Sequence, residues 1–166
     1  MKRVLYLLFL GILGGLIFRG CFFECIVVPT ASMEPTIKKG EVFWVNKFIY
    51  HFRKPERGDI IVFKSPVENK VLVKRIIGLP GETIEIKNKK VYINGKELKE
   101  DYVEYLRKEE ILVGDNIPEM VIPDDAYFVM GDNRDYSKDS RDWKDEEGNP
   151  VRFIYFEDIK GKVIGR

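Results

Sequence analysis

Residues 29–36 read Pro-Thr-Ala-Ser-Met-Glu-Pro-Thr, with one serine held between two prolines. A hydroxyl adds little to a packed core, whereas a reacting serine gains from a stiff mount. Pro29 fixes its own φ and has no N–H to donate, and Pro35 steers Glu34 away from helix. Ser32 is therefore a candidate nucleophile, and a serine needs a base to take its proton. The single histidine, His51, lies in Lys47-Phe-Ile-Tyr-His-Phe-Arg-Lys54, an exposed-looking basic and aromatic stretch. That setting speaks against a Ser-His-Asp triad. Carboxylates and lysine remain. Lysine serves only where apolar burial lowers its pKa enough to leave a neutral amine.

Val71-Leu-Val-Lys-Arg-Ile-Ile77 offers such surroundings. As a strand it puts Leu72, Lys74 and Ile76 on one face and Val73, Arg75 and Ile77 on the other. Lys74 is then a candidate desolvated amine. Arg75 does not deprotonate, and if buried it needs a carboxylate partner. The same pattern also suits an exposed edge strand whose two charges block aggregation. A third stretch, Met130-Gly-Asp-Asn-Arg-Asp-Tyr-Ser-Lys-Asp-Ser-Arg141, combines turn formers with alternating charges. It is either a solvated loop or a shell of residues that orients a catalytic group.

The elements around these stretches are short and β-like. Runs at 26–28, 41–46, 59–64, 71–77, 83–87, 91–93, 126–130 and 162–164 are rich in β-branched and aromatic residues. Asn88-Lys89 and Asn94-Gly95 read as turns. The pattern predicts a mainly β, barrel-like antiparallel domain. Residues 97–122 are charged, lack sustained alternation and read as a small excursion. Residues 142–150 read as a polar surface loop.

The N-terminus differs. Lys2-Arg3 precede an apolar run from Val4 to Phe18; Arg19-Gly20 interrupt it and Cys21-Phe-Phe23 resume it. With Arg19 snorkelling, residues 1–23 read as a cytoplasmic start and one transmembrane helix. No A-x-A-like cleavage site follows, so the segment reads as an uncleaved anchor. The cationic start puts residues 24–166 outside the cytoplasm.

Bulk composition narrows the function classes. With 166 residues the chain makes one compact domain, and 28 Lys+Arg against 27 Asp+Glu give no field that draws it to nucleic acid. Cys21 and Cys25 make no disulfide framework. Without a Cys/His cluster no structural metal site is expected, and no cofactor is implied.

Four stretches, Pro29–Thr36, Arg57-Gly-Asp-Ile-Ile-Val-Phe63, Val73-Lys-Arg-Ile-Ile-Gly-Leu-Pro-Gly81 and Gly131–Arg141, follow one another behind the apolar segment. Together they resemble the bacterial type I signal peptidase (leader peptidase) family, over roughly residues 1–141. The resemblance implies a signal-peptidase-type β domain with a small inserted lobe, and a serine endopeptidase with a Ser–Lys dyad. In it Ser32 is the nucleophile and Lys74 the general base. The Ser32 N–H and the Thr30 hydroxyl serve the oxyanion, and Ser137 orients Lys74. Asp139 pairs with Arg141, and Asp132 with Arg75. Ile26, Val28, Pro29 and Val73 wall shallow pockets for small side chains of an extended substrate. The implied partners are preproteins with Ala-x-Ala-type leader peptides and a lipid bilayer. The implied location is the bacterial inner membrane, single-pass, with the domain on the outer side.

Two other enzymes share such a pair. One is a relative dedicated to a single pilus or conjugation protein. The other is the self-cleaving repressor group, which the apolar anchor and the lack of a DNA-binding segment disfavour. The non-catalytic alternative is a membrane-tethered, peptide-binding β domain.

Overall fold

The computed structural model describes residues 2–107 and 109–165, with the side chains of 13, 14 and 16–21 outside the description. An N-terminal helix, α1 (Lys2–Phe22), runs directly into β1 (Phe23–Val27). β2 (Val42–Asn46), β3 (Ile60–Lys64) and β4 (Val71–Gly78) follow, and then β5 (Thr83–Lys87), β6 (Lys90–Ile93) and β7 (Lys96–Glu97). β8 (Ile117–Val121), β9 (Ala126–Met130), β10 (Ile154–Tyr155) and β11 (Ile159–Ile164) complete the chain.

The strands form two antiparallel sheets. The larger has the order β1-β2-β11-β3-β4-β9-β10 and the smaller β7-β6-β5-β8. The larger sheet curls into an open half-barrel, so the mainly β expectation holds.

Alternation fixes β5 and β6, where buried residues take turns with more open ones. In β3 and β9 every residue but Lys64 is buried, which marks central strands covered on both faces. Asn88 and Lys89 take positive φ of 48° and 72° at the β5–β6 turn, as a two-residue hairpin demands. Asn94 and Gly95, at 49° and 75°, do the same between β6 and β7.

Ile77, Ile84, Ile86, Val91, Phe128 and Met130 belong to one buried cluster that draws on both sheets. Gly78 makes the crossing possible: a Cβ there would lie 2.3 Å from Ile122 Cδ1. Val28, Met33, Ile37, Phe43 and Val62 form a second cluster under the Ser32 segment.

Three expectations change. The excursion is larger than residues 97–122: β5 to β8 form one lobe from Thr83 to Val121. β8 escaped notice because Ile117-Pro-Glu-Met-Val121 carries a proline and a charge, tolerable on a sheet-edge strand. Residues 142–150 are only partly a surface loop. Trp143 is buried against Phe63, with ring centroids 6.0 Å apart, and Lys144 bridges Pro150. Finally, the anchor expected over 1–23 appears as α1, but among the described residues no helix is long and apolar enough to cross a membrane. The interruption at Arg19-Gly20, part of that expectation, lies where side chains are outside the description.

Candidate active site

The segment carrying Ser32 is a tight turn pinned from below. Met33 and Ile37 are fully buried, and Ile37 N donates to Met33 O at 2.8 Å. Glu34 N donates to Ala31 O, and the Glu34–Pro35 peptide is cis. The turn is held from the side by Asn133 N, which donates to Ser32 O at 3.2 Å. The apolar residues of the motif thus anchor it while the serine points to the cleft.

Lys74 comes from the middle of β4. Its strand neighbours on the same face are Leu72 and Ile76, and its cross-strand partner on β3 is the fully buried Ile61. Lys74 is 3% exposed, and its Nζ donates to Ser32 Oγ at 2.7 Å. The exposed-edge alternative is therefore excluded for this strand, which sits between β3 and β9. Burial lowers the Lys74 pKa to about 8; the nearby Asp139 charge works against this, Arg141 adds to it and Asp132 again opposes it. A measurable fraction of neutral amine therefore exists near neutral pH.

The Gly131–Arg141 stretch wraps around this pair. A Cβ on Gly131 would fall 2.3 Å from Ser137 Oγ and 2.4 Å from Ser32 O, so only glycine lets the loop approach. Asp139 is completely buried and accepts from Gly131 N at 2.9 Å, Arg141 Nε at 2.9 Å and Ser137 Oγ at 2.6 Å. Burial alone would raise its pKa. The Arg141 charge and these hydrogen bonds outweigh burial and hold it below the usual carboxylate range. Arg75 donates to Asp132 through Nε at 2.9 Å and Nη2 at 2.6 Å, which supplies the carboxylate that its burial requires.

Ser137 departs from expectation. It was expected to hydrogen-bond Lys74, but its hydroxyl donates to Asp139 instead. The carboxylate, fixed by Arg141, is the stronger acceptor within reach. Thr30 lies beside Ser32, its Oγ1 donating to Ser32 Oγ at 3.2 Å. Among the described residues the Ser32 N–H has no hydrogen-bond partner.

A cleft of about 370 Å³ opens at the pair, lined by Thr30, Ser32, Leu72, Lys74, Tyr136 and Trp143 among others. None of the four residues expected to wall the substrate pockets lines this cleft. Val28 is 2% exposed and belongs to the core, with Ile26 and Val73 packed on the same cluster, while Pro29 is exposed. His51 stacks on Phe48, 4.4 Å between centroids, and lines a different cavity with Lys47 and Tyr50. Among the described residues no cluster of His, Cys, Asp or Glu could hold a metal.

Two residues escaped the sequence reading. Thr36 donates to Asp132 Oδ2 at 2.5 Å, and the Tyr102 ring lies 4.0 Å under the Arg75 guanidinium. Thr36 closes the proline-flanked motif and could have been found there. Tyr102 carries no local signal, because its partner is on another sheet.

A serine hydroxyl 2.7 Å from a buried amine is an arrangement that can support nucleophilic chemistry without a histidine. Comparison with known proteins sharpens this. The family model described as signal peptidase, peptidase S26, matches residues 1–166. The chain belongs to that family. It is 38% identical over 156 residues to signal peptidase I P of Bacillus subtilis subsp. natto, covering 89% of this chain and 84% of that protein. Signal peptidase I V of Bacillus subtilis (strain 168) is 43% identical over 122 residues, covering 69% and 72%. The crystal structure of a signal peptidase I from Enterococcus faecalis V583 superposes with a TM-score of 0.51 at 34% identity, covering 66% of this chain and 97% of that one.

Proposed function

We propose that this protein is a membrane-anchored serine endopeptidase that removes signal peptides from exported preproteins with a Ser32–Lys74 dyad. The observation that carries the reading is the 2.7 Å contact between Ser32 Oγ and the buried Lys74 Nζ. Neutral Lys74 accepts the Ser32 proton as Oγ attacks the scissile carbonyl. The Ser32 N–H and Thr30 hydroxyl stabilise the oxyanion. The Lys74 ammonium then protonates the departing amine, leaving an acyl-serine. Lys74, neutral again, deprotonates the water that hydrolyses this ester. Asp139 and Arg141 keep the loop around Lys74 in place, and the Arg75–Asp132 pair braces the other face of β4.

An extended leader peptide lying in the cleft beside Ser32 fits this chemistry, its small side chains against Thr30, Leu72, Tyr136 and Trp143. Shallow sites of this kind reject large side chains by clash. The α1 segment holds the apolar run from Val4 to Phe18. With Lys2 and Arg3 at its start, this helix supports a single-pass anchor with the β domain on the outer side. Carbonate extraction that releases the chain from membranes would remove the anchor from this reading.

Cleavage of a detergent-solubilised preprotein bearing an Ala-x-Ala site tests the function. Folded Ser32→Ala and Lys74→Ala variants should each lose about a thousandfold or more in kcat. Cleavage that survives Lys74→Ala moves the base elsewhere. Activity on one substrate alone points to a dedicated protease.

A further inference from the structure

The loop around the dyad is gripped from behind by the second lobe. Between β7 and β8 the chain passes across the back of Gly131–Asp135. Glu104 N donates to Asp132 O at 3.0 Å, and Arg134 N donates to Glu104 O at 3.1 Å, a parallel bridge centred on Asn133. Arg107 N donates to Asp135 Oδ2 at 2.7 Å. The central tie is a buried ion pair. Arg134, with a side chain 0% exposed, donates from Nη1 and Nη2 to the two oxygens of Glu100 at 3.1 and 2.5 Å. The Tyr102 hydroxyl donates to the same carboxylate at 2.9 Å.

This pair continues to the site in two directions. Arg134 Nε donates to Gly131 O at 3.1 Å, on the residue whose missing Cβ lets Ser137 and Ser32 approach. Arg134 O accepts from Arg141 Nη2 at 2.8 Å, and Arg141 holds Asp139. Arg134 thus joins Glu100, outside the loop, to Gly131 through its guanidinium and to Arg141 through its own carbonyl.

We propose that Glu100 is a positioning residue: by orienting Arg134 it sets the Gly131–Asp139 loop against Lys74, so the second lobe serves as the brace of the catalytic loop. The inference rests on the proposed role of Lys74 as base. A buried ion pair is weak evidence for stability, since apolar substitutes often do as well. Its value here lies in geometry. Arg134 bonds Glu100, the Gly131 carbonyl and, through its own carbonyl, Arg141 at once. Without the carboxylate the guanidinium loses its fixed orientation, and misplacement of a supporting group by about 1 Å costs as much as a hundredfold in rate.

The test uses the full chain in detergent with a preprotein substrate, comparing Glu100→Gln, Arg134→Met, the double variant, and Glu97→Gln as control. Glu97 lies on the exposed β7 and pairs only with Lys90 among the described residues. Glu100→Gln should lower kcat about tenfold with KM within about twofold, and move the acid limb of kcat/KM upward as water reaches Lys74. Amide exchange at Gly131, whose N–H is bound by Asp139, should quicken about tenfold relative to β3. The double variant removes the uncompensated charge, so it should regain stability yet keep the low kcat and the shifted limb. If the double variant regains the kcat of the wild type, the pair supplies stability alone and the proposal falls. It falls equally if Glu100→Gln leaves the limb and the Gly131 exchange unchanged. A wild type inert on every preprotein would sink the dyad reading, while the exchange experiment would still decide the brace.

Discussion

Lys74 and Arg75 are consecutive on β4 and leave it on opposite faces, where they meet opposite surroundings. Arg75 finds a carboxylate, a threonine hydroxyl, the Gly58 carbonyl and an aromatic ring. All three of its nitrogens donate. Lys74 finds Leu72, Ile76, Ile61 and one serine hydroxyl. The Asp139 carboxylate, whose charge acts on Lys74, accepts from Arg141, Ser137 and Gly131 instead. Burial with a partner makes a strut, and burial without one lowers the amine's pKa, as the proposed base requires. The choice of cation on each face follows, because guanidinium keeps its proton at any working pH while ammonium gives it up when desolvated.

Exchanging the roles should break the contrast most severely. Lys74→Met should abolish cleavage by about a thousandfold or more, yet the protein should become more stable near neutral pH. The sign follows from linkage. The folded pKa of Lys74 lies below its unfolded value, so its penalty is fully present below about 8 and fades as pH rises toward the unfolded pKa. That penalty is about 3 kcal/mol at most, and the advantage of Lys74→Met should shrink across the same window in denaturant titrations. Arg75→Met should do the reverse. It strands Asp132, which is almost wholly buried, and should cost about 3–5 kcal/mol of stability measured by urea unfolding.

Smaller effects refine the picture. The wild-type kcat/KM should rise about tenfold per pH unit below about 8 and level off above it, as the free amine accumulates. Ser137→Ala removes one of the three donors to Asp139 Oδ2 and should reduce kcat about tenfold through a loosened loop, measured against a fixed preprotein. His51→Ala should change kcat by less than about twofold, because His51 shares no cavity with Ser32.

What could be read from sequence follows the same division between local and distant partners. β3, β4, β5 and β9 announce themselves by runs of β-branched and aromatic residues, and Asn94-Gly95 by its turn chemistry. Ser32 stands out by its prolines and Lys74 by its aliphatic neighbours, though sequence left open whether β4 was central or at an edge. That question is settled by β3 and β9 on either side, a pairing between distant segments. β7 and β10 are two residues long and leave no periodic trace. The hydroxyl of Ser137 turns to Asp139 by rotamer, which no spacing encodes. Trp143 lies in a run of charges yet packs on Phe63, because the following bridge at Lys144 and Pro150 folds it inward.

The most direct measurement is the titration of Lys74 itself. Lysine ¹³Cε resonances of the full chain in micelles, with Lys74 assigned by its loss in Lys74→Arg, report the amine's protonation across pH. The account predicts a midpoint of about 8. A midpoint at the ordinary lysine value of about 10.4 would mean that the amine stays charged at Ser32, and Lys74 would not be the base.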